Sequence, residues 1–539
     1  MKTASQTILI ALLLAATLTL GSASRGFWGN HGEGRRAEVA REVAASGNWL
    51  VPTLEGEPFV TKPPLSYWLM AAVFTVTGRA TEGTARIPAV LATLATLLLV
   101  AGIAGRWKSP EDGRLYCDPA TAGVLFASMP LVLLMGQNAE TEPLLAFFST
   151  LSVYSWFRVR PGAKSGEDTG WRFLFACSLA LGFMVKGPLG WVFPLPGVVA
   201  CELASPKGKR RTGYLDLPLF LLAHVLLAAP WFIYVYRNVP GALDVWLGES
   251  VNRIADPTFT THKEPFWYYI PMLAAFGPVV VFLPSLLRRA TSREGLKALW
   301  PFLWFAAGVI FLSMATSKRA HYLLSLAPGL ALAAAAQVHS MEKSLTGRLS
   351  RPFFRFAGWL SPALLILACG WLLTLGSGKI SFGLLMAVAG VAVVYLFLWR
   401  YRDFDAIKFF GVSFLAVSVL GTMGFVPVID AYRSPASFFA EVATATGSDG
   451  PVVNWNNDLV SSNFYLRRFV ANVNSEEELA AALPGGGWLV GEPYDFRHPP
   501  RGIQEVLRRE AADPFNPSRK RVWALYRWNP AADNEASEK

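Results

Sequence analysis

The sequence predicts an α-helical polytopic membrane protein of about 13 transmembrane helices, followed by a small C-terminal α/β extracytoplasmic domain. Three observations carry that expectation. Of 539 residues, 53% are hydrophobic and only 16% are charged, whereas a soluble chain carries about 25% charge. Apolar runs recur at close to the ~20 residues needed to cross a bilayer. The basic residues gather in alternate short loops between those runs, which is the pattern that fixes orientation in a membrane. The same loops account for the net charge of +11 without a nucleic-acid partner.

Taken in order, the runs are 6–24, 84–105, 119–136, 142–157, 172–185, 187–204, 216–236, 267–287, 299–314, 320–337, 357–375, 381–399 and 408–428. With the N-terminus inside, the inner loops hold Arg106, Lys108 and Arg114; Arg158, Arg160 and Lys164; and Lys207, Lys209, Arg210 and Arg211. Later inner loops hold Arg288, Arg289, Arg293 and Lys297; Lys343, Arg348, Arg351 and Arg355; and Arg400, Arg402 and Lys408. Every inner loop is basic, as a multi-pass plasma (cell inner) membrane protein requires. One missed span would invert everything after it.

Residues 1–428 then form the membrane domain, with its first outer loop at 25–83, and residues 429–539 form the extracytoplasmic domain. The run 6–24 also has the composition of a cleavable signal peptide. We expect it to stay, because an anchor there positions the loop behind it. In the tail, strand-like runs at Val452–Trp455, Phe464–Val470, Trp488–Gly491 and Val522–Trp528 alternate with helical patterns at Pro435–Thr446, Glu476–Leu483 and Ile503–Ala511. That alternation indicates a small α/β unit. It contains no Gly-rich phosphate fingerprint. The four cysteines form no CxxC pair, so neither a thiolate metal site nor a disulfide framework is expected.

The chemistry-bearing residues collect at the outer ends of the runs. In the first loop, residues 35–45 read as an amphipathic helix lying along the membrane surface. Glu33 and Arg36, three apart, can share a face if that helix starts early. Lys62 precedes Pro63 and Pro64, which restrict the backbone to extended or turning forms. Trp49, Tyr67 and Trp68 suit the headgroup level. Glu142 lies where an outer loop enters a run, Lys186 stands at an outer elbow, and Arg253 and His262 lie in the loop at 237–266. Lys318 and Tyr322 follow the run 299–314, on the side where positive charge is disfavoured. Each alone reads as an interfacial anchor, a snorkelling lysine or a helix-start carboxylate. Together they place acids and cations on one side of the membrane. A phosphate-linked lipid sugar needs both: cations for the phosphate as the glycosidic bond breaks, and a carboxylate for the acceptor hydroxyl.

The stretches 33–69, 138–148, 182–190, 230–269 and 313–328 resemble the ArnT-like branch of membrane glycosyltransferases of the C-type fold, relatives of protein O-mannosyltransferases and of the aminoarabinose transferases of lipid A. The resemblance implies an inverting transfer of a sugar from a polyprenyl-phosphate donor to a lipid (lipid A-like) or cell-envelope glycan acceptor on the outer face. It implies Glu33 and Glu142 as catalytic carboxylates, with Glu33 the base. It gives Arg36, Lys62, Lys186 and Lys318 to the donor phosphate, and marks His262, Tyr322 and Arg253 as further site positions. Two departures stand out. The second acid of the family's common Asp-Glu pair is Gly34, and the acid that precedes the loop lysine in relatives, where it helps to bind a divalent metal with a later histidine, is Thr61. No metal set is therefore specified, and His262 is its one candidate ligand. The expected partners are the lipid-linked sugar, the acceptor and membrane lipids. An acceptor hydroxyl on protein Ser/Thr, and a non-enzymatic flippase of lipid-linked sugar, are the competing readings.

Overall fold

The computed structural model describes residues 2–28, 32–109, 112–164, 166–206, 208–249, 264–291, 299–341, 352, 354–360, 405–447, 450–456, 461–492, 499–513 and 516–529. The membrane part begins with α1 (Lys2–Ala23), whose Leu14 and Leu18 are wholly buried in the main apolar core. The loop at 25–83 carries α2 (Glu33–Ser46) and a short apolar helix, α3 (Leu65–Thr77). Between them, β1 (Thr53–Leu54) and β2 (Glu57–Pro58) form a small antiparallel hairpin. α2 buries Ala37, Val39, Ala40 and Val43 against Tyr67, Met70 and Phe74 of α3; the expected apolar face is Val39, Ala40, Val43 and Ala44, of which Ala44 is only partly buried. The two loop helices therefore pack on each other. Tyr67, expected at headgroup level, is buried, and the Trp68 indole donates to the Trp49 carbonyl at 2.5 Å.

α4 (Glu82–Ala104) starts at Thr81, which shares a reciprocal capping box with Thr84, so two otherwise orphaned donors are satisfied. Among the described residues, four helices are each long and apolar enough to cross a membrane: Thr3–Ala23, Glu82–Ala104, Ala320–Val338 and Ala406–Met423, or up to six spans if two bent pairs each count once. The expected thirteen is a finer count than this. Several predicted runs are helical but broken. The run 119–136 becomes α5 (Pro119–Ala127) and α6 (Pro130–Met135). The run 187–204 becomes Leu189–Val192 and Leu195–Leu203, and 216–236 becomes Asp216–Leu227 and Ala229–Asn238 with a bend of 43°. Proline explains the breaks: Pro130, Pro194 and Pro230 lack an N–H and sit where a helix starts anew. The run 267–287 turns at Gly277, whose φ of 56° is the left-handed region. α7 (Glu142–Arg158) and α8 (Thr169–Lys186) match their runs and pack together. The run 381–399 and most of 357–375 lie outside the described residues.

The C-terminal part holds a five-stranded sheet in the order β4-β3-β5-β7-β6. Its strands are β3 (Val452–Trp455), β4 (Ala471–Val473), β5 (Gly487–Gly491), β6 (Ile503–Asp513) and β7 (Asn516–Trp528). β3 pairs in parallel with β4 and β5, through the crossover helices Ser461–Leu466 and Glu476–Ala482; β7 joins antiparallel to β5 and β6. Two expectations are corrected. Ile503–Ala511 is a strand: its helix-forming residues are overridden by the long ladder to β7, from Ile503 opposite Trp528 to Asp513 opposite Asn516. Phe464–Val470 is mostly helix and turn, because Phe464 and Tyr465 turn towards Phe27 of the loop at 25–83.

Candidate functional site

Glu33 opens α2 next to the end of α1, and two arginines close on it. The Arg86 guanidinium donates Nε to Oε1 at 2.7 Å and Nη2 to Oε2 at 3.0 Å; Arg25 Nη1 donates to Oε2 at 3.0 Å; and the Ala139 amide donates to Oε1 at 2.8 Å. Arg86 further ties the carbonyls of Ser22, Arg25 and Gly26. Burial alone raises the Glu33 carboxyl, but the charges of Arg86 and Arg25 and their hydrogen bonds outweigh it and hold the group below the usual range. A carboxylate offers about four lone-pair sites, and four donors fill them. Glu33, the residue expected as the base, thereby ties the loop 25–83 to α4 and to the loop before α7. The expected pairing with Arg36 is absent.

Arg36 instead meets Glu140, 2.6 Å from Nη1 to Oε2. Burial and the charges of Glu142 and Glu33 push the Glu140 carboxyl up to about 7, against the pull of Arg36. Beside it, Glu142 is the first residue of α7, with Pro143 behind it, where the helix dipole favours a carboxylate. Lys186 is the last residue of α8, where the dipole favours a cation. The two helices run antiparallel, so these ends meet, and the buried Glu142 carboxylate pairs with the Lys186 ammonium. His321 Nε2 adds a contact to Glu142 at 3.3 Å, and the Lys186 Nζ lies 4.4 Å over the Tyr322 ring.

Lys186 and Tyr322 also line a cavity of about 280 Å³, together with Lys62 and Glu249. Its remaining wall is mostly apolar, from residues such as Phe183, Phe232, Trp246, Leu247 and Phe311. The loop at 25–83 is held beside it by two indoles: Trp231 donates to the Leu50 carbonyl at 2.9 Å, and Trp246 to that of Val60 at 3.0 Å. Lys62 forms an ion pair with Glu249 across the cavity mouth. The cavity thus joins an apolar slot to a rim with two lysines, an arrangement that accepts a lipid tail together with an anionic head.

Lys62, Lys186 and Tyr322 are therefore brought together, with Glu142 one hydrogen bond behind. Arg36 joins the carboxylate cluster rather than the cavity wall. Lys318 is not on that wall either: its ammonium donates to the Glu264 carbonyl at 2.9 Å and the Ala315 carbonyl at 2.5 Å. The lysine closes the end of the helix Trp300–Met314. Arg253 and His262 lie outside the described residues. No three His, Cys, Asp or Glu side chains converge as metal ligands among the described residues, and Thr61 lines the cavity where the family's acid would stand. The sequence reading passed over Arg86, Glu140 and His321. Arg86 had a signal, since it is an arginine inside an apolar span, and such a charge is costly enough to need partners.

A family model described as dolichyl-phosphate-mannose-protein mannosyltransferase matches residues 33–246. The undecaprenyl phosphate-α-4-amino-4-deoxy-L-arabinose arabinosyl transferase of an Enterobacter species is 27% identical over 368 residues, 67% of this chain and 63% of that one. A Pseudomonas fluorescens protein with the same description, numbered 2, is 30% identical over 331 residues, 59% of this chain and 57% of its own. These matches span about three fifths of the relatives' length. The crystal structure of ArnT from Cupriavidus metallidurans bound to undecaprenyl phosphate aligns with a TM-score of 0.72 at 19% identity, covering 96% of this chain and 97% of that one. The chain shares the fold of that ArnT. Within the ArnT-like fold, Gly34 now has a local reason: a Cβ there would lie 3.2 Å from Ser461 Cβ. The C-terminal unit sits where the family's second acid would project.

Proposed function

We propose that the protein is an inverting glycosyltransferase that moves a sugar from a polyprenyl-phosphate donor to a hydroxyl of a lipid, of the lipid A kind, or of a cell-envelope glycan, on the outer face of the plasma membrane. The cavity carries this reading: an apolar slot with Lys62, Lys186 and Tyr322 on its rim. The prenyl chain lies along the apolar wall and the phosphate meets the lysines. The acceptor oxygen attacks the anomeric carbon as the bond from that carbon to the phosphate oxygen breaks. Prenyl phosphate leaves, and its charge is met by Lys62 and Lys186. The acceptor proton passes to the carboxylate cluster. Glu140 is the base we assign: it lies beside Glu142, and burial with the charges of Glu142 and Glu33 raises its carboxyl towards neutral pH, where a group can take and release a proton. Glu142 keeps Lys186 aimed at the rim, and Arg36 holds Glu140.

The decisive experiment incubates purified protein with a polyprenyl-phosphate sugar and a lipid A-type acceptor, and identifies products by mass spectrometry. Stoichiometric glycosylated acceptor and prenyl phosphate are expected. Donor translocation without any new glycosidic bond would instead make the protein a flippase. Transfer to a protein hydroxyl is the second reading, favoured by the mannosyltransferase match over 33–246, and a Ser/Thr peptide in the same assay separates the two.

A further inference from the structure

The C-terminal sheet carries a second cleft, far along the chain from the membrane cavity. Residues directly opposite each other on antiparallel strands share a face. Trp488 of β5 lies opposite Arg527 of β7, and Arg527 lies opposite Gln504 of β6. The three side chains therefore form one row across three strands. The next row on the same face, Val490 with Leu525, is buried under Phe438 and Phe439 of the helix Ala436–Thr446. Trp488 packs at the edge of that cluster and is half-buried, whereas Arg527 and Gln504 are exposed. A cleft of about 710 Å³ opens there, bounded at its sides by the turns at Gly485–Gly487 and Gly502. A side chain at Gly485 would project into open space.

Two features define what fits. The guanidinium of Arg527 lies 5.8 Å from the Trp488 ring centroid, and among the described residues it has no carboxylate partner. An indole plate beside planar polar groups matches a sugar ring, which offers an apolar C–H face and hydroxyls at its edge. An unneutralised guanidinium matches a phosphate or carboxylate on that sugar.

We infer that this cleft binds a saccharide bearing an anionic substituent: the ring lies on Trp488, hydroxyls meet Gln504 and the glycine backbone, and the anionic group meets Arg527. That this saccharide is part of the acceptor glycan rests on the function proposed above; the cleft's own chemistry does not. Such a site would hold a polyanionic glycan near the membrane surface and raise its local concentration at the catalytic cavity.

The test titrates full-length protein in detergent with glucose 1-phosphate and with glucose, followed by saturation-transfer NMR. Glucose 1-phosphate is expected to bind, and more tightly than glucose. Arg527→Gln should weaken the phosphorylated sugar about tenfold and erase its preference over glucose. Trp488→Ala should remove both signals. Arg527 is exposed, so its variant keeps the test valid should Trp488→Ala fail to fold. Three results would overturn the assignment: no binding of either sugar to the wild type, identical titrations for wild type and Arg527→Gln, or binding lost in Lys62→Ala and kept in both cleft variants. Transfer activity is measured on the same preparations. Sugar binding without transfer counts against the proposed reaction alone, and transfer without sugar binding counts against the cleft alone.

Discussion

Replacing Glu33 with glutamine separates a structural role from a chemical one. The change keeps the shape and one oxygen but puts an NH2 where an acceptor was. If the retained oxygen faces Arg86 Nε and the Ala139 amide, the new NH2 faces Arg25 Nη1 and Arg86 Nη2, donor against donor. Turning the amide over moves the conflict to the other pair. Two charge-assisted hydrogen bonds, at about 1.5–3 kcal/mol each, are lost. Both guanidiniums lose their countercharge, and breaking a buried pair costs about 3–5 kcal/mol. The larger figure already contains much of the smaller, so about 3–5 kcal/mol is the expected loss. Thermal unfolding in detergent, with and without a bound donor, measures it. Protease cleavage within 25–83 should rise in parallel. A variant that melts with the wild type yet transfers no sugar would refute the latch and return Glu33 to the chemistry. The pH dependence has a definite sign. The folded carboxyl lies below its ordinary value, so its stabilisation is fully present above the unfolded pKa and is lost only as pH falls through the lower, folded one.

Other outcomes follow from the cavity and its rim. Turnover should rise with pH through an inflection near 7, as Glu140 loses its proton; Glu140→Gln should abolish most turnover and the inflection together, and an inflection that survives would move the base elsewhere. Lys62→Ala should reduce donor efficiency about tenfold or more, the worth of one charge-assisted phosphate contact, with acceptor dependence unchanged; an unaltered donor titration would leave Lys62 as a membrane anchor. Glu249→Gln should lower the donor concentration needed for half-maximal rate, because the carboxylate that now pairs with Lys62 competes with phosphate. Single cysteines placed at 207–211 should react with an impermeant reagent only after cells are permeabilised, and those in 429–539 without it; the opposite pattern would invert the topology.

Much of this architecture was legible from residue patterns. The apolar face of 35–45 gave the loop helix, and α7 and α8 fall within a few residues of their runs. Their charged ends, Glu142 and Lys186, stood out because a carboxylate and an ammonium at span ends are costly unless used. What the pattern could not give was partnership. Glu33 and Arg36 are neighbours in sequence, yet each binds a residue about 50 or 100 positions away, and no local spacing encodes that. Lys318 looked free for phosphate only because the carbonyls that hold it have no sequence signature. The strand at 503–513 was misread for a related reason: its residues favour helix locally, and only the distant β7 makes the extended form better. Positive charge on the outer side signalled a site, and some of that charge went to backbone instead.

The contact between Gly34 and Ser461 bears on how the protein is made. The loop that roofs the cavity is synthesised early, and several of its partners come late. Asn463 donates to the Glu55 carboxylate at 3.0 Å, the Phe27 amide donates to the Tyr465 hydroxyl at 2.9 Å, and Asp430 takes the Trp28 indole at 2.7 Å. A nascent chain can insert its first helices and close Arg86 on Glu33, since both lie within the first hundred residues. It cannot seat α2 against the helix Ser461–Leu466 until some four hundred more have left the ribosome. Until then the roof lacks its last wall, so the cavity proposed for the donor is complete only on a chain translated past Leu466.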